Sequence, residues 1–326
     1  MLRSMYSAVS GLRNHQIMLD VVGNNIANVN TFGFKAGRAV FEDNLSQIVR
    51  GAAAPVPAGA AAGSGVGGIN PAQIGLGVRL GGITNLFSQG GLQVTNQTTD
   101  VAIQGDGFFV VNKAGSNFFT RNGAFNFDTD GNLVTGNGSY VQGYMYENPV
   151  AATAGTPGTP ASNGPDGVSG TADDVAAAAP TAGTPAQSSI NGALVNITMP
   201  PQAFTDALGP LESFQINPDG TIVGQFGGSN KVIFGQLALS TFNNPPGLEK
   251  VGGSMYRATT NSGVPNVGLP AQAGRGTIES GTLEMSNVDL AQEFTNLIVS
   301  QRGFQANSRV VTASDEVLQD LVNMKR

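Results

Sequence analysis

The chain contains no cysteine. That excludes disulfides, thiolate zinc sites and cysteine nucleophiles, and leaves the compartment open. Histidine occurs once, at His15, so a histidine-based metal site cannot be assembled. His15 reads as a helix-surface or subunit-contact residue. No Gly-x-Ser-x-Gly elbow, P-loop or His-Glu-x-x-His is present, which leaves a carboxylate-only hydrolase as the enzyme class without a local signature. We expect no enzyme, no catalytic residues, no cofactor and no metal. Charge is sparse: 12% of residues are charged, the net charge is −6, and the 16 Lys and Arg are scattered. Nothing in that pattern would replace phosphate counterions, so no nucleic-acid partner is expected. No apolar run reaches the roughly 18 residues of a membrane span, so no membrane insertion is expected. Asn14, His15, Gln16 and Asp20 interrupt any apolar core of a cleaved signal, so export would use a route without one.

Glycine is plentiful instead: 46 of 326 residues, roughly twice the usual share. The strongest periodicity lies at the two ends. Leu290, Leu297, Phe304, Val311 and Leu318 recur every seven residues, and Phe294, Val310, Val317, Leu321 and Met324 widen the stripe. A sustained seven-residue apolar repeat predicts a helix that seats one narrow seam against another helix. Ser286 and Asp289 stand in capping-box spacing before it. At the other end Leu2 and Val9 form one row, and Met5, Leu12, Leu19 and Ile26 another, which predicts a helix over residues 1–28. Asn24, Asn25, Asn28 and Gly33 then favour turn geometry, because Asn and Gly tolerate left-handed backbone. The two helices could pack only on each other, or also against further copies of the chain.

The sequence between them is β-rich. Residues 38–49 are a short mixed segment, and 51–68 are Ala, Gly, Pro, Ser and Val without charge, a connector or a segment that orders against neighbouring subunits. Ile74, Leu76, Val78 and Leu80 alternate as a strand. Residues 101–111 read as strand, tight turn, strand. The Gly105-Asp106-Gly107 turn lacks the third glycine and following helix of a dinucleotide fingerprint. Residues 125–134 and 214–223 repeat one pattern, with an aromatic, an Asp-Gly turn and an aliphatic pair, and predict two similar hairpins in one β domain. Residues 149–188 between them are too poor in apolar side chains to bury a core. Asp166, Asp173 and Asp174 there could offer oxygen to calcium, but without EF-hand spacing they read as a solvated loop.

Residues 1–12 and 19–35, the latter with Asn24, Asn25, Asn28, Gly33 and Phe34, resemble the N-terminal signature of bacterial flagellar rod and hook proteins. The block 83–145 and residues 276–289 with 301–307 are similar to the core and C-terminal signatures of the same family. The resemblance spans all but residues 51–68 and 149–188. It implies an α+β fold: a helical assembly domain from residues 1–45 and 285–326 forms an inner layer, a connector and entry strand cover 46–82, and an outer β domain covers 83–284. It implies self-assembly into a helical homopolymer around a channel. It also implies contact with rod and hook–filament junction proteins and the hook cap, and export through the flagellar type III apparatus. The assembly seam would comprise Leu2, Met5, Val9, Leu12, Leu19 and Ile26 with Leu290, Phe294, Leu297, Phe304, Val311 and Leu318.

Residues 2–7, 70–77, 143–144 and 286–290 look most like the shorter hook proteins. The expected product is therefore the extracellular hook, a bendable tube that transmits torque. The rigid distal rod is the alternative, since it too has an extra segment near residues 45–70. A monomeric adhesin would share the β-rich middle but would not need heptads at both ends.

Overall fold

The structure, a computed structural model, describes residues 2–55, 67–146, 193–199, 210–226 and 230–324. The insertion 149–188, with Asp166, Asp173 and Asp174, lies outside the described residues. The chain divides into two compact units: residues 1–31, 35–88 and 286–326 form the first, and residues 32–34 and 89–285 the second. The mixed α+β class matches the expectation, with helices at the two ends and strands between.

In the first unit, α1 spans Leu2–Ala27 and α2 spans Leu290–Asn323. The polar run after Ala27 ends α1, with Asn28 N–H donating to the Asn24 carbonyl. Asp289 caps α2: its carboxylate accepts from the Ala291 and Gln292 amides at 2.9 and 3.3 Å. Ser286 stands outside the helix, its Oγ accepting from Val288 N, so the cap is one acidic side chain at the positive end of the helix rather than a Ser-led capping box. Asp289→Ala should cost about 1 kcal/mol. It should lower the melting temperature of the first unit by a few degrees in a circular dichroism melt at 222 nm, with the second unit's transition unmoved.

Four strands complete this unit: β1 (Gly37–Asp43), β2 (Ser46–Arg50), β3 (Ala72–Gly75) and β4 (Val78–Asn85). β1 pairs antiparallel with β4, and β2 with β3, and an Ala53–Ile69 bridge extends the second pair. The described part of residues 46–82 is thus a β ribbon. Its Gly- and Pro-rich composition hid strands whose order comes from pairing rather than burial, because every residue of β2 is exposed.

The second unit holds β5 (Leu92–Val94), β6 (Val101–Gln104), β7 (Phe108–Lys113), β8 (Ser116–Thr120), β9 (Phe125–Phe127), β10 (Leu133–Thr135), β11 (Tyr140–Met145) and β12 (Val195–Asn196). It continues with β13 (Leu211–Ile216), β14 (Thr221–Phe226), β15 (Asn230–Leu237), β16 (Leu239–Thr241), β17 (Glu249–Gly252), β18 (Met255–Arg257), β19 (Asn266–Gly268), β20 (Thr277–Ser280) and β21 (Thr282–Glu284). The main sheet runs β13-β14-β15-β11-β7-β8-β18-β17. Val101, Ile103, Phe109, Val111, Phe125, Val141, Phe226, Phe234 and Leu237 fill its core. Phe109 and Phe125 meet edge to face at 5.2 Å, a favoured aromatic geometry.

Both repeat copies form the expected hairpins. β9 pairs with β10 and β13 with β14. Gly131 and Gly220 sit at φ +80° and +79°. The Gly131 amide donates to the Asp128 carbonyl and the Gly220 amide to the Asn217 carbonyl, so the two turns are closed by the same bond. The rings of Phe127 and Phe214, one from each hairpin, meet at 5.5 Å. Residues 101–111 do form two strands, but β6 pairs with β20 while β7 pairs with β8, β11 and β16.

Candidate assembly surface

The asparagines at the C-terminal end of α1 tie parts of the first unit together. Asn25 is buried; its Oδ1 accepts from Gly37 N at 2.9 Å, and its Nδ2 donates to Gly37 O at 2.8 Å and to Glu293 Oε1 of α2 at 3.2 Å. One side chain thus joins α1, β1 and α2. Asn28 Nδ2 donates to Asn24 O at 2.8 Å, and Asn28 Oδ1 accepts from Thr31 Oγ1 at 3.2 Å, fixing the turn. Gly33 and Phe34 belong to the second unit. Gly33 lies at φ +66°, and a Cβ there would come within 2.5 Å of the Asn122 amide nitrogen. Only glycine fits that backbone conformation and approach. Lys250 Nζ stands 4.5 Å above the Phe34 ring, and burial lowers the pKa of that ammonium.

α1 and α2 pack antiparallel, through small and polar groups. A Cβ at Gly11 would meet Asn307 Nδ2 at 2.6 Å, and one at Gly303 would meet the His15 ring at 2.5 Å. His15 is thus set into the helix pair, opposite a residue without a side chain. Ser300 is the fully buried residue of α2, with its Oγ bonded back to Asn296 O at 2.8 Å. Asn14 Nδ2, His15 Nδ1 and Glu293 Oε2 are buried without a hydrogen-bond partner, and each costs free energy on folding. On its other side α1 meets the ribbon: Ser10 Oγ accepts from Val78 N at 3.3 Å, close to Gly77 at φ +113°. These contacts between the helices are polar or made at a glycine, while Ala8 and Val22 of α1 are buried apolar side chains.

The apolar rows divide accordingly. Met5, Leu12, Leu19 and Ile26 of α1 are half-buried, as are Leu297, Val311 and Leu318 of α2. Val9 and Phe294 are each 50% exposed, and Leu290 and Phe304 are exposed too. Ile298, Val299, Val310, Val317 and Leu321 extend that open face. Leu2 begins α1, but its side chain lies outside the described residues. A strict seven-residue row drifts by about 20° per heptad around a straight helix, so its five members cannot all face one partner. The expectation of coiled-coil-like pairing goes no further than the pairing itself. The ribbon adds Leu45, Ile48, Val49, Ile74 and Ile83, all exposed. An isolated two-stranded ribbon is marginal in water, and here its apolar side chains have no cover within the described residues of their own unit.

Three buried charges of the fold carried little or no sequence signal. Arg121, at the end of β8, pairs with Glu284 of β21 at 3.3 Å, with the side chains 3% and 0% exposed. Arg121 also donates to Gly105 O at 2.7 Å. Burial lowers the Arg121 pKa, and the Glu284 carboxylate opposes that shift. The partners stand 163 residues apart, a distance no local pattern spans. Lys35 in the first unit is fully buried, its Nζ donating to Ser88 O at 2.8 Å; its place after Gly33-Phe34 was the only hint. Among the described residues, no group of three or more His, Asp or Glu is placed to hold a metal ion. No helix among them is long and apolar enough to cross a membrane.

Comparison with known proteins gives three family matches: "Flagella basal body rod protein" over residues 5–35, "Flagellar hook protein FlgE/F/G D1 domain" over 102–224, and "Flagellar basal body rod FlgEFG protein C-terminal" over 279–324. The flagellar basal-body rod protein FlgG of Bacillus subtilis is 39% identical over 327 aligned residues, covering 100% of both chains. The flagellar hook protein FlgE of Borreliella burgdorferi is 32% identical over 448, again covering 100% of both. The flagellar hook protein FlgE of Escherichia coli is 30% identical over 421, covering 98% of this chain and 99% of its own.

Proposed function

The chain belongs to the family of flagellar rod and hook axial proteins, structural components of the flagellum, and from that premise we propose that it is the subunit of the flagellar hook. In this reading it self-assembles into a hollow, bendable tube that passes motor torque to the filament. It is not an enzyme. Its partners are further copies of itself, the rod below, the junction proteins and hook cap above, and the type III export apparatus that delivers it outside the cell without a cleaved signal. The observation that supports assembly is the pair of terminal helices, joined to each other by small polar groups while Val9, Leu290, Phe294, Phe304 and Val310 stay exposed. Such a face gains free energy only when another surface covers it. A repeated head-to-tail contact that does not close on itself builds a helical tube. The seam of Leu2, Met5, Leu12, Leu19, Ile26, Leu297, Val311 and Leu318 would then serve both the helix pair and its neighbours, and the apolar ribbon would lie against an adjacent copy.

A second reading, the distal rod, has its own support. The FlgG relatives of Bacillus subtilis and Borreliella burgdorferi align over 327 and 328 positions against the 326 residues of this chain. The hook proteins of Borreliella burgdorferi and Treponema pallidum need 448 and 470, so they contain positions this chain lacks. Purified chain seeded with flagellar fragments distinguishes the two under the electron microscope. Curved tubes are expected. Straight, short tubes would assign it to the rod, and a chain that stays monomeric would overturn both.

A further inference from the structure

The chain passes between its two units at three places: around residues 31–35, at 88–89 and at 285–286. Each unit binds all three passing segments to one another, and each does so through one residue beside the last passage. In the first unit that residue is Asn287. Its Oδ1 accepts from Ala36 N at 2.8 Å, beside the first passage. Its Nδ2 donates to Leu86 O at 2.8 Å and to the carbonyl and hydroxyl oxygens of Ser88 at 3.3 and 3.0 Å, beside the second. The buried Lys35 adds a direct tie from first to second through Ser88 O. In the second unit the residue is Glu284. Its carbonyl accepts from Gly33 N at 2.8 Å, and its Oε1 accepts from Gly90 N at 2.9 Å. Its other oxygen is held by Arg121, and the neighbouring Met285 N donates to Gly91 O.

We infer that the three passages act as one tether, clamped by Asn287 in the first unit and Glu284 in the second, and that the clamps make the separate strands share the force passed between the units. This rests on the reading of the chain as a torque-transmitting subunit. The physical case is the choice of groups. Nothing about linking two units requires a buried lysine, a buried carboxylate–guanidinium pair and an asparagine spending both ends of its amide on backbone from two other segments. Burying such groups is costly unless every bond is made. The bonds they make are aimed at backbone beside the passages, which would otherwise bear load one strand at a time. The uncharged connector expected at residues 51–68 lies away from all three passages in sequence.

The test combines two measurements on Asn287→Ala and Asn287→Asp; the aspartate keeps the acceptor for Ala36 N and loses the donor to Leu86 and Ser88. Hydrogen exchange on the free, full-length chain should show the Ala36, Gly33 and Gly90 amides protected in the wild type. In Asn287→Ala, Ala36 should exchange at least tenfold faster, with the amides of β7 and β11 unchanged. Cells carrying the variants should build tubes of normal length, yet lose at least half their swimming speed in a viscous medium while swimming normally in a dilute one. Unprotected amides in the wild-type chain would refute the clamps whatever the protein builds. Normal swimming under load, despite faster exchange at Ala36, would overturn the force-sharing role. Loss of tubes in both variants would assign Asn287 to folding and overturn it as well. A wild-type chain that forms no tube, with its clamped amides protected, would instead sink the assembly reading.

Discussion

Replacing Phe294 and Phe304 together with Asp abolishes tube formation and leaves the monomer folded. That is the result expected if the open face of α2 is the contact between copies. Both rings stand half in solvent on a helix whose other side is already occupied by α1. Covering a whole ring of this size contributes about 1.5–3 kcal/mol; with about half of each ring already covered, losing two weakens each contact by about 1–3 kcal/mol, or roughly 10–10²-fold. A carboxylate left in the covered interface adds a desolvation penalty. Because every subunit repeats the contact, the critical concentration should rise beyond any practical protein concentration. Pelleting assays and electron microscopy read it directly, and the circular dichroism melt should stay within a few degrees of wild type. Leu297→Asp makes the contrast. Leu297 is half-buried, so its substitution should lower the melt of the first unit before assembly begins. Tubes formed by the double Phe variant at wild-type concentration would remove this face from the interface.

What the residues revealed in advance follows from how local each signal is. A helix over 1–28 was legible because its apolar rows repeat within one turn, and the structure places α1 at Leu2–Ala27. The two Asp-Gly hairpins were legible because a closed turn with glycine at positive φ needs only four consecutive residues. Strand partnership was not. β6 was read beside β7 because three residues separate them, yet it pairs with β20, and β5 pairs with β21. Such pairings depend on which distant strand offers a matching edge, and periodicity within a window does not encode that. For the candidate surface, the repeat identified which side chains are apolar but not which of them α1 covers. At Gly11 and Gly303 the missing side chains leave room for Asn307 and His15, while Phe294 and Phe304 lie on the exposed side of α2. Asn287 was visible as part of a family signature, while its reach to Ala36, Leu86 and Ser88 needs the folded chain.

Gly123→Ala should be the most damaging single methyl in the second unit. Its φ is not in the left-handed region, so the objection is space alone. A Cβ there would sit 1.6 Å from the carbonyl oxygen of Val101, about half of any permissible contact, and the obstruction is backbone that no rotamer change can clear. Val101 opens β6, is fully buried, and its amide N–H donates to the Gly123 carbonyl at 3.1 Å. Moving it pulls Val101 and Ile103 out of a core packed at near-crystalline density and strains the β6–β20 pairing. Overpacking alone typically costs about 1–3 kcal/mol. With a broken backbone bond and a displaced core strand added, the loss should reach about 4 kcal/mol or more, the exceptional end of the range for single substitutions and a large part of the stability of a typical domain. Gly136→Ala separates this from a general intolerance of glycine replacement: a Cβ there meets nothing within 4 Å, and its melt should match wild type. In Gly123→Ala the transition of the second unit should fall by about 10 °C or more, or disappear. A wild-type melt would mean that β6 can withdraw from Gly123 at little cost, and that the close approach at Val101 is not what fixes glycine at this position.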